Sequence, residues 1–268
     1  MCRLVLIEGV SGVGKSTTAV LLTARLQARG FRVERHLEGE SASPLDLFLV
    51  AYLPILEYET LLAAYPSDAA AIASHTLFKA DYALVRYMEG RYMQGFTPLF
   101  AGDLLQTLRA REFAYAPAQP VPMDVFTNVF RTRWAAFATD ADFAVMDGSL
   151  VSHMTNDLMR SYNADAARIT AHIEALARAV AAYAPIVFYL KTNDIRGGLA
   201  RARENRGQEP PTEAQAAFWA QRAAMDAATL PALSVPVRSF TITAGTWDAA
   251  MDEMEAVLTG GKPYGQRV

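Results

Sequence analysis

The stretch LVLIEGVSGVGKSTTAVLL, residues 4–22, decides the fold of this chain. Its first four residues are apolar, which predicts a central strand of a parallel sheet that is buried on both faces. A glycine-rich turn follows, and then a helix whose apolar face comprises Ala19, Leu22 and Leu26 and whose C-terminal cap is Gly30. A strand, a glycine-rich turn and a helix in this order are the context that a phosphate-binding loop requires.

The turn matches the phosphate-loop pattern in full, from Gly9 to Ser16. Its glycines let backbone N–H groups converge on a phosphate at the N-terminus of the helix. Lys15 is expected to bridge the β- and γ-phosphates of ATP, and the Ser16 hydroxyl to bind Mg²⁺. The residues predicted to bind the nucleotide are Gly12, Val13, Gly14, Lys15, Ser16 and Thr17. The alternative, a glycine-rich turn with a chance lysine, leaves the flanking strand and helix unexplained.

Apolar segments and helical patterns alternate over much of the remaining chain. The further predicted strands are 31–37, 142–147, 185–190 and 237–242. Two further helical faces are predicted at Ile169, Ile173, Leu176 and Val180, and at Ala250, Met251, Met254 and Leu258. The letters TEAQ at 212–215 resemble a capping box that opens another helix. This alternation predicts an α/β fold with a doubly wound parallel sheet, in a single domain over residues 1–268.

The interval 41–140 breaks this alternation. It is rich in aromatic residues and mainly helical in pattern, and its most apolar part, 45–65, is interpreted as buried helices. Residues 114–124 form a proline-rich loop within it. Three phenylalanines mark one predicted amphipathic helix: Phe126, Phe130 and Phe137. We interpret the interval as an acceptor-binding insertion over the carboxyl ends of the strands, where ligands of such sheets bind.

Two acidic positions follow predicted strands. Asp147 ends the strand 142–147 and is expected to bind Mg²⁺ together with Ser16, although it could instead cap the turn that follows. Glu38 and Glu40 follow the strand 31–37, and a carboxylate there could take the proton of an acceptor hydroxyl. Glu38 is the first choice for this role and Glu40 the second. The alternative is a solvated acidic turn.

Arginines cluster after the fourth predicted strand, within a predicted lid over residues 194–212. Arg201, Arg203 and Arg206 are too closely spaced to share one direction on a helix, so at least one is expected to face outward. In a mobile lid, one or two of them could fold over the triphosphate and neutralise charge in the transition state. The alternative is a solvated basic helix.

Composition narrows the classes of partner. The chain has 268 residues, 52% of them hydrophobic, and a formal net charge of −3, which gives no sign of a broad surface for nucleic acid or for a membrane. Cys2 is the only cysteine, so an intrachain disulfide is excluded and a cytoplasmic location is expected. The chain begins with a predicted strand, so a signal peptide is not expected. The four histidines show no ligand spacing, so no zinc site is expected.

The stretch 4–22 resembles the start of thymidylate kinases and deoxynucleoside kinases, which share an acidic residue before the first loop glycine, here Glu8. Further segments resemble motifs of these families in the same order. They are HLEGE (36–40), VMDGSL (145–150), the arginine-containing lid segment YLKTNDIRGGLARARENRG (189–207) and ITAGTWDAAMDEM (242–254), which is similar to the loop and last helix that border the adenine. The resemblance covers both ends of the chain but little of the interval 41–140.

The resemblance implies a three-layer fold with a five-stranded parallel sheet in the order 2-3-1-4-5, and an ATP- and Mg²⁺-dependent phosphotransferase. Its partner would be a small phosphoryl acceptor, for example a nucleoside, a nucleotide or an antibiotic hydroxyl; dimerisation is left open. Two positions depart from thymidylate kinases. Ser11 stands where these enzymes carry an aspartate inside the phosphate loop. Their second motif is an Asp-Arg pair whose arginine helps to hold the acceptor phosphate, and this chain has Asp147-Gly148 in its place.

Other classes of protein share the phosphate loop. A GTPase switch needs an Asn-Lys-x-Asp sequence after a strand, and LKTND at 190–194 has these letters in the wrong order. A motor or transport ATPase would normally have a glutamate after the strand-end aspartate, where this chain has Gly148. A nucleotide-binding sensor that catalyses no reaction remains as the alternative, and turnover distinguishes it from a kinase.

Overall fold

A computed structural model describes residues 2–41, 43–91, 94–116, 120–243 and 245–260. The described chain divides into two compact units, the first within Met1–Glu38, Thr127–Met159 and Asn163–Val268, and the second within Gly39–Phe126 and Arg160–Tyr162. Residues 117–119 of the proline-rich loop and residue 244 of the segment likened to the adenine border lie outside the described residues. Within the described ranges, no helix has both the length and the apolar character needed to cross a lipid bilayer.

The described residues form ten strands and ten α-helices. The strands are β1 Arg3–Gly9, β2 Val33–His36, β3 Val50–Pro54, β4 Thr76–Lys79, β5 Tyr82–Arg86, β6 Met88–Arg91, β7 Gly95–Pro98, β8 Phe143–Asp147, β9 Ile186–Lys191 and β10 Val237–Thr241. The helices are α1 Lys15–Ala28, α2 Ile55–Ala64, α3 Ala69–Ser74, α4 Gly102–Arg109, α5 Met123–Ala135, α6 Ser152–Tyr162, α7 Ala166–Ala179, α8 Ile195–Glu204, α9 Glu213–Thr229 and α10 Trp247–Thr259.

The first unit contains a five-stranded sheet in which every pair of neighbouring strands is parallel. Its strand order is β10-β9-β1-β8-β2. Counted in chain order within this sheet, that is the expected order 2-3-1-4-5. The predicted strands are therefore confirmed, with ends that differ by one or two residues.

Helices cover both faces of this sheet. On the face that carries Ile7, the apolar side chains of α1 and α10 pack into one buried cluster with β1, β8 and β9. On the opposite face, the Glu8 carboxylate accepts hydrogen bonds from the residues that open α6, and Tyr189 donates a hydrogen bond to Asp226 of α9. The first unit is therefore an α/β structure with a helical layer on each side of the parallel sheet.

Several local predictions for the helices are confirmed. Gly30 follows the end of α1 with a φ of 85°, as a C-terminal cap requires. The capping box at the start of α9 is present, because Thr212 and Gln215 each accept a hydrogen bond from the backbone of the other. The predicted apolar faces of α7 and α10 are buried.

The second unit contains β-structure that the expectation of a mainly helical interval did not include. It contains helices α2 to α4, but also an antiparallel sheet in the order β3-β5-β4 and the hairpin β6-β7. The segment 45–65, interpreted from sequence as helical, contains strand β3 before helix α2. The error has a physical cause: β5 is buried on both faces and β3 mostly so, and a short apolar run without alternation cannot be told from a buried helix.

The boundaries of the interval also differ from the expectation. The second unit spans Gly39–Phe126 together with Arg160–Tyr162, whereas the sequence interpretation ran from 41 to 140. The predicted phenylalanine helix is α5, which ends at Ala135, so Phe137 follows the helix instead of lying on it. Phe126, Phe130 and Phe137 are all buried, as their spacing predicts.

Candidate functional site

The glycine-rich turn between β1 and α1 is held in a conformation that favours glycine. Gly9, Gly12 and Gly14 have φ values of 141°, 82° and 96°, in the region that side chains disfavour. A Cβ atom on Gly12 would also stand 2.8 Å from the backbone nitrogen of Leu199 and closer still to the Gly198 carbonyl. Both the backbone conformation and the neighbouring atoms therefore require small residues in this turn.

Lys15 is the first residue of α1, and its side chain is almost completely buried. Its Nζ atom lies 3.4 Å from the carbonyl oxygen of Val10 and 3.7 Å from Oε2 of Glu38. Ser16 and Thr17, the next two residues, are exposed in the first turn of the helix. The structure therefore brings together Lys15 and Glu38, which the sequence analysis assigned to the same reaction.

Asp147 ends β8 directly beside Ile7 of β1 and is only 2% exposed. Burial raises the pKa of its carboxyl group to about 6, the positive charge of Lys15 opposes this rise, and the carboxylate of Glu38 adds to it. Ser16 and the backbone N–H of Glu38 also lower this pKa. The Oδ1 atom of Asp147 is buried and has no hydrogen-bond partner among the described residues.

This arrangement of Asp147 fits a magnesium ion. A buried carboxylate oxygen that lacks a partner is unfavourable by itself, and an ion beside it would satisfy it. Within the described ranges, no three His, Cys, Asp or Glu side chains form a metal cage. That is compatible with Mg²⁺, which proteins usually hold through one or two carboxylates plus the phosphates of the substrate. Asp147 and Ser16 are the residues that would hold it.

The alternative role of Asp147, as the cap of the following turn, is filled by another residue. The backbone N–H groups of Leu150 and Ser152 donate to the Glu8 carboxylate at 2.8 and 2.7 Å. Glu8 is completely buried, and the Ser152 hydroxyl is 3.0 Å from both the N and the O atoms of Gly9. Glu8 and Ser152 therefore anchor the start of α6 to the glycine-rich turn, and Asp147 remains available for another role.

Glu38 follows β2, and 46% of its side chain is exposed. Its backbone N–H donates to Oδ2 of Asp147 at 3.5 Å, and its Oε1 lies 3.2 Å from Nε2 of His153. Desolvation by itself would raise the pKa of Glu38, but Lys15 and His153 lower it below its usual range, and the charge of Arg206 acts in the same direction. Glu38 is therefore a carboxylate at neutral pH, which is the form that can accept a proton.

His153 is a site residue that the sequence analysis missed. The four histidines lack the spacing of metal ligands, and this spacing does not indicate that any of them lies beside the glycine-rich turn. A usable indication was present, because GSLVSH places a histidine six residues after the strand-end Asp147. In the structure His153 lies in the first turn of α6, and its side chain is 10% exposed.

The three arginines of the predicted lid have different surroundings. Arg201 lies 3.6 Å from the carboxylate of Asp194, which also caps α8 by accepting a hydrogen bond from the backbone of Gly197 at 2.7 Å. Arg203 donates to the carbonyl oxygen of Glu209. Both are therefore engaged within their own segment, whereas the charge of Arg206 is felt by Glu38. This effect of its charge makes Arg206 the candidate among the three for a role at the site.

Glu40, the second choice for the base, belongs to the second unit. Its carboxylate lies 3.6 Å from Nε of Arg91, and the backbones of these two residues form an isolated β-bridge. Glu38 and Glu40 thus lie in different units although only one residue separates them in the sequence. Glu38 is the carboxylate that lies beside Lys15.

A cavity of about 450 Å³ lies between β9, β10 and α9 on the face of the sheet that carries Tyr189. The glycine-rich turn contributes Val10 to it, and most of its wall is apolar, with Lys191 and Asn193 among its polar members. The described residues that line it include no carboxylate. This lining does not suit the phosphoryl-transfer step itself.

No protein-family model matches this chain, and no curated protein matches it. The interpretation of the site therefore rests on the residues and the geometry described above.

Proposed function

We propose that this protein is a kinase that transfers the γ-phosphoryl group of ATP to a hydroxyl or a phosphate of a small acceptor, nucleoside-like, nucleotide-like or antibiotic-like. The observation that carries the proposal is the buried Oδ1 of Asp147, without a partner among the described residues, beside Ser16 and Lys15 at the start of α1. A metal ion bound with a nucleotide would supply the partner that this carboxylate oxygen lacks.

Lys15 and the backbone of residues 12–17 would bind the phosphates of ATP. Three glycines with positive φ leave the backbone N–H groups of this turn unobstructed by side chains, and α1 adds the favourable N-terminal end of its dipole. Asp147 and Ser16 would hold Mg²⁺, which supplies neutralising charge at the phosphate oxygens when bound. In the structure Lys15 pairs with Glu38, and we expect it to exchange this partner for the incoming phosphates.

Glu38 would act as the base. A general base must be ionised before the reaction, and Glu38 is a carboxylate at neutral pH. Arg206 would neutralise charge that develops on the transferred group, and Arg201 and Arg203 would contribute only if the lid rearranges. Phosphoryl transfer depends mainly on positioning and charge neutralisation, and these are what the described residues can supply.

The experiment that tests this proposal is transfer of label from γ-labelled ATP in the presence of Mg²⁺. The acceptors are panels of nucleosides, nucleoside monophosphates and hydroxylated antibiotics, and binding of Mg²⁺–ATP is titrated in parallel. We expect one class to become labelled, Lys15→Ala to abolish both binding and labelling, and Lys191→Ala, an exposed lysine at the end of β9, to leave both unchanged.

Two results would contradict the proposal in different ways. Tight binding of Mg²⁺–ATP without labelling of any acceptor would favour the alternative, a sensor that binds nucleotide without catalysis. Failure of the protein to bind Mg²⁺–ATP at all would remove the basis for both functions.

A further inference from the structure

We infer that His153 is the positioning residue for Glu38: it holds Oε1 of the carboxylate, so that Oε2 is the oxygen that receives the proton of the acceptor. This inference rests on the proposed function. The observation behind it is that the two oxygens of Glu38 have different partners. Oε1 lies 3.2 Å from Nε2 of His153, and Oε2 lies 3.7 Å from Nζ of Lys15.

The two partners differ in what happens to them when nucleotide binds. The phosphates of ATP would attract Lys15 away from Glu38, because they carry more negative charge than one carboxylate. Glu38 is half exposed and lies after the end of β2. Once Lys15 is withdrawn, its side chain would therefore be free to rotate unless a second contact holds it. His153 has no phosphate to bind in the proposed mechanism, and its contact with Oε1 can persist through the reaction.

The position of His153 is itself fixed by a chain of buried contacts. Its backbone N–H donates to the carbonyl oxygen of Gly148 at 2.9 Å. The preceding residues are held by the fully buried Glu8, and Ser152 is hydrogen-bonded to Gly9 of the glycine-rich turn. Because α6 starts from this anchor, the imidazole presents Nε2 to Glu38 with little freedom to move.

Gly148, the residue next to Asp147, cannot take this role. Gly148 has a φ of 71°, and a Cβ atom on it would stand 3.1 Å from Cε of Lys15 and 3.5 Å from Oε2 of Glu38. A side chain at this position would therefore crowd Lys15 and Glu38. The donor to Glu38 comes instead from His153, in the first turn of the helix that follows.

With a hydroxyl acceptor, the reaction transfers one proton to Glu38 and one phosphoryl group to the acceptor. The O–H bond of the acceptor breaks and its proton forms a bond to Oε2 of Glu38, while the acceptor oxygen forms a bond to the γ-phosphorus. The bond between the γ-phosphorus and the bridging oxygen breaks, and ADP leaves with that electron pair. Throughout, Nε2–H of His153 donates to Oε1, and Glu38 afterwards releases its proton to water.

The kinetic test uses variants of the full-length protein with Mg²⁺–ATP and the acceptor class identified by label transfer. We expect His153→Ala to lower kcat about 100-fold, as misplacement of a reacting group does, with the KM for ATP changed less than about twofold. His153→Gln should recover much of this loss, because its amide nitrogen can donate near the position of Nε2. Equal losses in both variants, or a loss confined to KM, would contradict the positioning role.

A double-mutant cycle separates positioning from general damage to the fold. If His153 acts through Glu38, then His153→Ala in a Glu38→Gln background should lower kcat no further than Glu38→Gln alone. Losses that multiply would overturn the inference. Thermal unfolding of each variant shows whether the fold is retained.

A spectroscopic measurement tests the contact between His153 and Glu38 without any acceptor. It therefore distinguishes failure of this inference from failure of the proposed function. Side-chain ¹⁵N spectra of the free protein should show a protonated Nε2 in His153, with a hydrogen-bond shift that Glu38→Ala removes and His36→Gln does not. If no acceptor is ever labelled, the proposed function fails while this result still decides whether His153 holds Glu38. A His153 signal that is insensitive to Glu38→Ala would overturn the inference.

Discussion

The indole ring of Trp247 lies directly against Gly14, so that a Cβ atom on residue 14 would overlap Cη2 of the ring and stand 2.8 Å from Cζ3. Gly14 also has a φ of 96°, which a residue with a side chain adopts at a cost. The first residue of α10 therefore packs against the residue that precedes α1, and this contact requires glycine at position 14.

Gly14→Ala should destabilise the protein by more than backbone strain alone. The matched control is Gly207→Ala, since Gly207 has a φ of 63° but a Cβ atom there would meet no other atom within 4 Å. We expect the loss for Gly14→Ala to exceed that of the control by about 1–3 kcal/mol, the usual cost of overpacking. Urea unfolding of both variants measures the difference. Equal losses would show that Trp247 does not restrict this position.

Asp147→Asn should stabilise the protein at pH 7 when Mg²⁺ and nucleotide are absent. Burial raises the pKa of Asp147 from 3.8 to about 6, so between these values the folded protein binds more protons than the unfolded chain. The free energy of unfolding therefore falls as the pH rises through this window, and the cost of about 3 kcal/mol is complete above about pH 6. The variant should lack this cost.

The measurement for Asp147 is the free energy of unfolding against pH, for both proteins. The curves should separate as the pH rises from 3.8 to about 6 and meet again below this window. Adding Mg²⁺–ATP should then stabilise the original protein more than the variant. A variant that is less stable at pH 7 without ligand would mean that the buried carboxylate makes a net favourable contribution.

His172 should make the protein less stable in acid. Its ring is buried between Thr127, whose Oγ1 lies 2.8 Å from Nδ1, and Met154, whose Sδ lies 3.1 Å from Nε2. Burial lowers its pKa from 6.5 to about 4, so in this window the unfolded chain binds more protons than the folded protein. The free energy of unfolding therefore decreases as the pH falls from 6.5 to about 4, by about 3 kcal/mol in total.

The variant His172→Gln tests this, because glutamine does not titrate. Its free energy of unfolding, measured in urea at a series of pH values, should lose less on acidification, whereas above pH 7 the two curves should run parallel. The same acid dependence in both proteins would assign the effect to other groups.

Removing one member of the pair Arg222 and Asp226 should destabilise the protein strongly, whereas replacing both by apolar residues should change its stability little. The guanidinium donates to both carboxylate oxygens at 3.0 and 2.9 Å, and Tyr189 donates to Oδ2 at 2.6 Å. All three side chains are buried; Arg222 and Asp226 belong to α9 and Tyr189 to β9. Arg222→Met leaves a buried carboxylate without its cation, which typically costs about 3–5 kcal/mol.

The double variant Arg222→Met with Asp226→Leu removes both charges. It should be clearly more stable than Arg222→Met alone, because apolar residues of similar size can replace a buried ion pair at little cost. Urea unfolding of the two variants gives the comparison. If the double variant is the less stable of the two, packing around this pair matters more than its charges.

The sheet of the first unit was predictable because its three central strands, β1, β8 and β9, are mainly apolar runs that alternate with helical patterns. The sheet of the second unit was not. In β5, Tyr82–Arg86, every residue is buried, so the alternation that identifies a strand with one solvated face is missing. Its strands are recognisable only through their pairing, as in Val50 opposite Arg86, and pairing is a property of the folded chain.

The site was predictable where the sheet itself brings residues together. Ile7 pairs in register with Asp147, so the end of β8 necessarily lies beside the start of the glycine-rich turn. The role of His153 was not predictable in this way, because it depends on Glu8 capping a turn 142 and 144 residues further along the chain. The difference between Arg206 and its two neighbours likewise depends on local partners, Asp194 and Glu209, that spacing alone does not reveal.

The close approach of Gly12 and Gly198 joins two backbones without a side chain between them. This contact holds the first turn of α8 against the glycine-rich turn, so we expect any swing of the segment that carries the three arginines to pivot at Gly198. Arg206, which is furthest along the chain from that pivot among the three arginines, would then travel the longest arc, and a small rotation at the glycine contact would become a large displacement of its guanidinium.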